Sequence, residues 1–108
     1  YNFVCALLND LFGVQSRGGC QCAGPFGQAL LGMSVEANRR VEAALLDKEE
    51  VLRPGFTRVS TPAYMPEGDV AYVIKAVHAV AEHGWKFLPW YRFNHHTAEW
   101  AHALRFKR

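Results

Sequence analysis

The chain has 108 residues, half of them hydrophobic and a fifth charged, the composition of one folded domain rather than of a disordered or low-complexity chain. A formal net charge of +2 is too mild to argue for nucleic acid, and no apolar run approaches the ~20 residues of a membrane span. Three cysteines are an odd number with no even framework, so reduced thiols in a cytoplasmic setting fit better than a disulfide scaffold.

Tyr1 opens directly into a helical pattern, with no methionine before it and no charged leader, so the sequence reads as a piece of something longer. Apolar residues at positions 3, 4, 7, 8 and 11 make one helical face, which Gly13 ends. Val14 to Ser16 is a short strand candidate leading into a loop rich in glycine and thiol. Pro25 to Leu31 reads as a short helix closed by Gly32, with proline at the first position, where its missing N–H costs nothing. Ser34 is an N-cap with Glu36 in the first turn, and the apolar stripe Ala37, Val41, Ala44 and Leu45 carries that helix to about Glu50. Pro54-Gly55 breaks the chain.

Phe56 to Thr61 is β-branched and aromatic, a strand that Pro62 ends or confines to an edge. Pro66 stands at a first helical position. Val70, Val73, Ile74, Val77 and Ala81 then give the clearest amphipathic pattern in the chain, expected to lie on the sheet and to stop at Gly84. Residues 85–108 form an aromatic, basic extension with five Lys/Arg against one acid. Within it, Tyr91 to Phe93 and Glu99 to Ala103 pair as a hairpin across the turn Asn94-His95-His96-Thr97. The order of elements predicts a single α+β domain over 1–108, a small and mainly antiparallel sheet with helices on one face.

Chemistry concentrates in Gly13-Val14-Gln15-Ser16-Arg17-Gly18-Gly19-Cys20-Gln21-Cys22-Ala23-Gly24-Pro25, which holds two of the three cysteines and four of the nine glycines. A thiol on such a loop is accessible, and Arg17 nearby favours its thiolate, the nucleophilic form. Cys20 and Cys22 also stand as a redox pair, and the same spacing suits small residues at a tight turn. A zinc site would need two further ligands, and no second cysteine pair or H-x₃₋₅-H run supplies them. His78 reads as a helix-face residue and His83 as a cation at a helix end. His95 and His96 read as a surface turn, since neighbours on a strand rarely share a metal. Cys5 reads as a small buried hydrophobe. Trp85, Trp90 and Trp100 read as core or interface aromatics.

That segment resembles the cysteine loop of the class V aminotransferases, in the branch of selenocysteine lyase and cysteine desulfurase-like proteins. The resemblance extends through Ala6-Leu7-Leu8-Asn9-Asp10-Leu11-Phe12-Gly13 before it, Gly55-Phe56-Thr57-Arg58-Val59-Ser60 after it, and the helix closing at Gly84. It implies the small C-terminal domain of a fold-type I pyridoxal phosphate protein, with Cys22 as sulfur-accepting nucleophile, Arg17 as the motif arginine and Arg58 holding a substrate carboxylate. Desulfurases of this branch carry histidine before the cysteine, where this chain has Gln21, so the substrate stays open. The cofactor machinery of the large domain has no counterpart here. The expectation is a detached domain that binds no pyridoxal phosphate or metal, is inactive alone, and acts as an interaction module, either as a homo-oligomer or with a complementary large-domain chain. Two alternatives are a stand-alone thiol protein using Cys22 with Cys20, and a metal module using those thiols and a histidine.

Overall fold

A computed structural model describes residues 1–20 and 24–104. The elements run α1 (Asn2–Phe12), β1 (Arg17–Gly19), α2 (Gly24–Leu30), α3 (Val35–Leu46), a 3₁₀ turn (Glu50–Leu52), β2 (Phe56–Arg58), α4 (Glu67–His83), a 3₁₀ segment (Gly84–Trp90), β3 (Tyr91–Asn94) and β4 (Glu99–His102). The fold is α+β, and both described strand pairings are antiparallel. The strands form two separate two-stranded ladders, β1–β2 and β3–β4, with no hydrogen-bonded link between them.

α1 is the hub. Its Leu7 and Leu8 are the most deeply buried side chains, joined by Val14, Ala76, Val80 and Tyr91, with Phe3, Phe12, Val73, Phe87 and Trp100 packed against them. Asn2 Nδ2 donates to Ala98 O at 2.7 Å, tying the start of α1 to the β3–β4 hairpin. Tyr91 donates its hydroxyl to Asp10 Oδ2 at 2.9 Å, and Tyr72 donates to Phe12 O at 2.8 Å. The start of α1 lies against the β1–β2 ladder, where Thr57 Oγ1 donates to Tyr1 O at 3.4 Å.

Gly13 takes the left-handed conformation expected of it, φ 66°. Gly32 closes α2 with N–H bonds from Gly32 to Ala29 O and from Met33 to Gln28 O, a Schellman ending. α3 starts as expected, Ser34 Oγ accepting from Ala37 N at 3.1 Å. It ends four residues earlier than the apolar pattern suggests. Lys48 and Glu49 donate to Leu45 O and Ala44 O in another Schellman ending, with Lys48 at φ 63° where glycine is usual. A lysine gives no stop signal, and its left-handed backbone costs about 1–2 kcal/mol, which the ending's hydrogen bonds offset.

Two further expectations are corrected. The residues 14–16 form no strand: Val14 N–H bonds back to Leu8 O at 2.9 Å, Val14 drops into the core, and pairing begins only at Arg17. Pro66 precedes α4 as its N-cap rather than opening it, while α4 ends at His83 with Gly84 at its C-cap, where the sequence puts the stop. Gly84 is buried and right-handed, and a Cβ there would lie 3.0 Å from Leu7 Cδ1, so glycine serves close approach to α1. α4 itself packs on α1 through Ala76 and Val80, leaving Ile74 and Val77 exposed. Its apolar residues occupy a broad arc, and small Ala76 lets the arc's other edge approach α1.

The molecule is flat, 44 × 38 × 22 Å, with a radius of gyration of 15.7 Å. A compact domain of this length has a radius near 13 Å. Large side chains such as Leu46, Tyr64, Val35, Phe26 and Trp85 are more than three-fifths exposed. Among the described residues, no helix is long and apolar enough to cross a membrane.

Candidate functional site

Glycines near Arg17 and Arg58 shape this site. In the β1–β2 ladder Arg17 faces Arg58, Gly18 faces Thr57 and Gly19 faces Phe56. Side chains alternate between faces, so the three pairings sort into two sides. On one side a Cβ at Gly18 would meet Tyr1 Cδ2 at 2.7 Å and Cys5 Sγ at 3.1 Å: that side faces Tyr1 and the start of α1. The other side carries both arginines, which are exposed.

Gly55 makes this packing possible. A Cβ on it would sit 2.6–2.8 Å from the C, Cα and O atoms of Gly19. Those are backbone atoms, which cannot swing aside, so two chain segments touch here without side chains between them. Gly19 itself has φ 117°, a conformation that favours glycine. Phe56 then lies against Gly27 of α2, its ring edge 3.5 Å from where a Cβ would be.

The two arginines that sequence alone could not relate are therefore cross-strand neighbours. Directly opposed residues of an antiparallel pair have Cβ atoms about 4.5–5.5 Å apart, and two like charges there repel. The cost falls when an anion bridges them, and a planar guanidinium pair is suited to a carboxylate. Cys22 lies outside the described residues, as does Gln21 beside it. Cys20 is half-buried and lines a cleft of about 80 Å³ with Gly24, Gly27, Gln28, Leu31, Arg53 and Gly55. Cys5 is half-buried too, its Sγ 3.7 Å from Thr57 Oγ1.

Sequence reading passed over Arg53 and Glu50. Arg53 Nε and Nη2 donate to Glu50 Oε2 and Oε1 at 2.7 and 2.9 Å, a bidentate pair at the mouth of the Cys20 cleft. Those hydrogen bonds hold the Glu50 carboxyl below its usual range and raise Arg53. Burial pushes the Tyr1 hydroxyl up, with Arg53 pulling weakly the other way. The spacing of Glu50 and Arg53, one turn apart, was the available signal. A second, wider groove of about 480 Å³ runs from Tyr1 and Phe3 past Glu50, Val51 and Arg53 to Phe93, Ala98 and Trp100.

Pyridoxal phosphate requires a lysine for its Schiff base and an acid on its ring nitrogen. Lys48 in the turn after α3, Lys75 on α4 and Lys86 in the 3₁₀ segment are exposed, and none lines either cleft. The described residues do not fit that group. No known family model matches this sequence, and neither a curated protein nor a solved structure is significantly similar to it.

Proposed function

We propose that these residues work as the small domain of a class V aminotransferase-like protein. Arg58, with Arg17 beside it, holds the carboxylate of an amino-acid substrate. Cys22, beyond β1 in the chain, acts as the nucleophile. A complementary cofactor-bearing domain or a second copy of the chain completes the site, in a cytoplasmic setting that keeps the thiols reduced.

One observation supports this reading above the others. The register of β1–β2 sets Arg17 directly opposite Arg58 on the exposed side of the ladder, five residues before the thiol that the resemblance marks. The flat shape and the large exposed side chains agree with a domain that works against a partner surface.

The test is a titration of isotope-labelled chain with L-alanine, following the arginine Nε–H signals. Saturable shifts at Arg58 and Arg17 are expected. They vanish in Arg58→Ala and weaken in Arg58→Lys, because an ammonium cannot bind a carboxylate through two parallel hydrogen bonds. Non-saturable shifts, or equal affinity in Arg58→Ala, overturn the proposal.

A further inference from the structure

We propose that Glu49, His95 and His96 form a site for a divalent transition metal, Zn²⁺ by its donor set, which clips the tip of the β3–β4 hairpin to the end of α3. One ligand atom from each of the three residues lies within 4.8 Å of the others. Glu49 is far in sequence from the adjacent His95 and His96 and follows a different element, so the fold brings it to them.

The expectation that neighbouring histidines diverge holds on a strand, where successive side chains point to opposite faces. His95 and His96 stand in the hairpin turn instead. Asn94 Oδ1 accepts from His96 N at 3.0 Å and from Thr97 N at 3.4 Å, an Asx-type turn that fixes the local backbone. The two imidazole rings consequently lie on the same side, with centroids 3.8 Å apart.

Glu49 is held from the other direction. Its N–H closes the Schellman ending of α3 on Ala44 O at 3.1 Å, so its backbone is pinned while its half-buried carboxylate faces the turn. Two imidazoles and one carboxylate are a common three-ligand set for zinc, with a fourth position left to water. Tetrahedral donors at zinc distances stand about 3.4 Å apart. Both histidines are exposed, so rotation about their side-chain bonds closes the remaining gap without moving packed atoms. Imidazole nitrogen selects Zn²⁺, Co²⁺, Ni²⁺ and Cu²⁺ over Mg²⁺ and Ca²⁺, which prefer oxygen alone. The ion would lie beyond the groove that Glu50, Val51, Phe93 and Ala98 line, and would fix the two walls of that groove to each other.

Zn²⁺ titration of the 108-residue chain by calorimetry tests the site, with Co²⁺ as a spectroscopic probe. The expected result is one ion per chain, and affinity at least about tenfold lower in each of His95→Ala, His96→Ala and Glu49→Gln. Co²⁺ should give ligand-field bands of nitrogen and oxygen coordination without a thiolate charge-transfer band. Zn²⁺ should also raise the melting temperature of the wild type and leave that of the His95→Ala/His96→Ala variant unchanged. The histidines are exposed, so these variants keep the fold. Absence of Zn²⁺ binding, undiminished affinity in the double variant, or a thiolate band that disappears when all three cysteines become serine, overturns the site.

Discussion

The two ladders are nearly equal in length and opposite in construction. β3–β4 is held by side chains. Phe3 packs on Trp100 with ring centroids 4.7 Å apart and meets Tyr91 edge-on at 5.4 Å, and Phe93 lies 4.6 Å from Trp100 across the strands. β1–β2 is held by the lack of side chains, with Gly18 against Tyr1 and Cys5, and Gly55 against the Gly19 backbone. The aromatic ladder anchors α1 and contributes to the core. The glycine ladder contributes little buried apolar area, and it points two arginines outward. The first is built for stability and the second for presentation.

Substitutions separate these roles. Trp100→Ala removes the ring that joins Phe3 to Phe93 and should cost about 3 kcal/mol. The melting temperature should drop by roughly 10 °C or more, with both ladders losing protection together because α1 packs on each. Retained protection in β1–β2 would show that ladder to be independent of the hairpin. Gly55→Ala should cost about 2 kcal/mol, since the new methyl group meets backbone. Its effect should be local: amide exchange quickens over Arg17–Gly19 and Phe56–Arg58 while Tyr91–Asn94 stays protected. An unchanged exchange pattern would mean that the Gly19 contact is not what sets the register.

The smallest effect is a pH dependence confined to the glycine side. Hydrogen bonds from Arg53 lower the Glu50 carboxyl, so its stabilising contribution is present above the ordinary carboxylate range and is lost as pH falls through the lowered value. Burial raises the Tyr1 hydroxyl, so its contribution is intact below the ordinary tyrosine range and is lost as pH rises through the raised value. Exchange over β1–β2 should therefore quicken slightly at both extremes, and Glu50→Gln should flatten the acid limb alone. An acid limb that persists in that variant would assign it to another carboxylate.

The elements that could be read in the sequence are those whose cause is local. Gly13 and Gly32 announce their left-handed turns, Ser34 its cap, and the residues around Asn94 their hairpin, because each signal and its effect lie within a few residues. The parts that could not be read depend on distant contacts. Lys48 ends α3 without a glycine. Gly84 marks the end of α4 as it should, but its close approach to Leu7 depends on where α1 lies. The burial of Ala76 rather than Ile74 depends on which arc α1 meets. The site divides in the same way. Arg17 and Arg58 are visible as single residues, while their pairing is a property of the register. Glu49 gives no hint of His95 and His96 across 46 positions of sequence.

The Gly19–Gly55 contact has a consequence for how the arginine face can change. Register there is written in main-chain atoms, so it does not depend on what positions 17 and 58 carry. A different pair of side chains could be mounted at those positions, acidic, aromatic or neutral, without shifting the strands or the point where the thiol loop departs. The ladder works as a socket with two interchangeable fittings, and the charge its outer face presents can be rewritten separately from the fold.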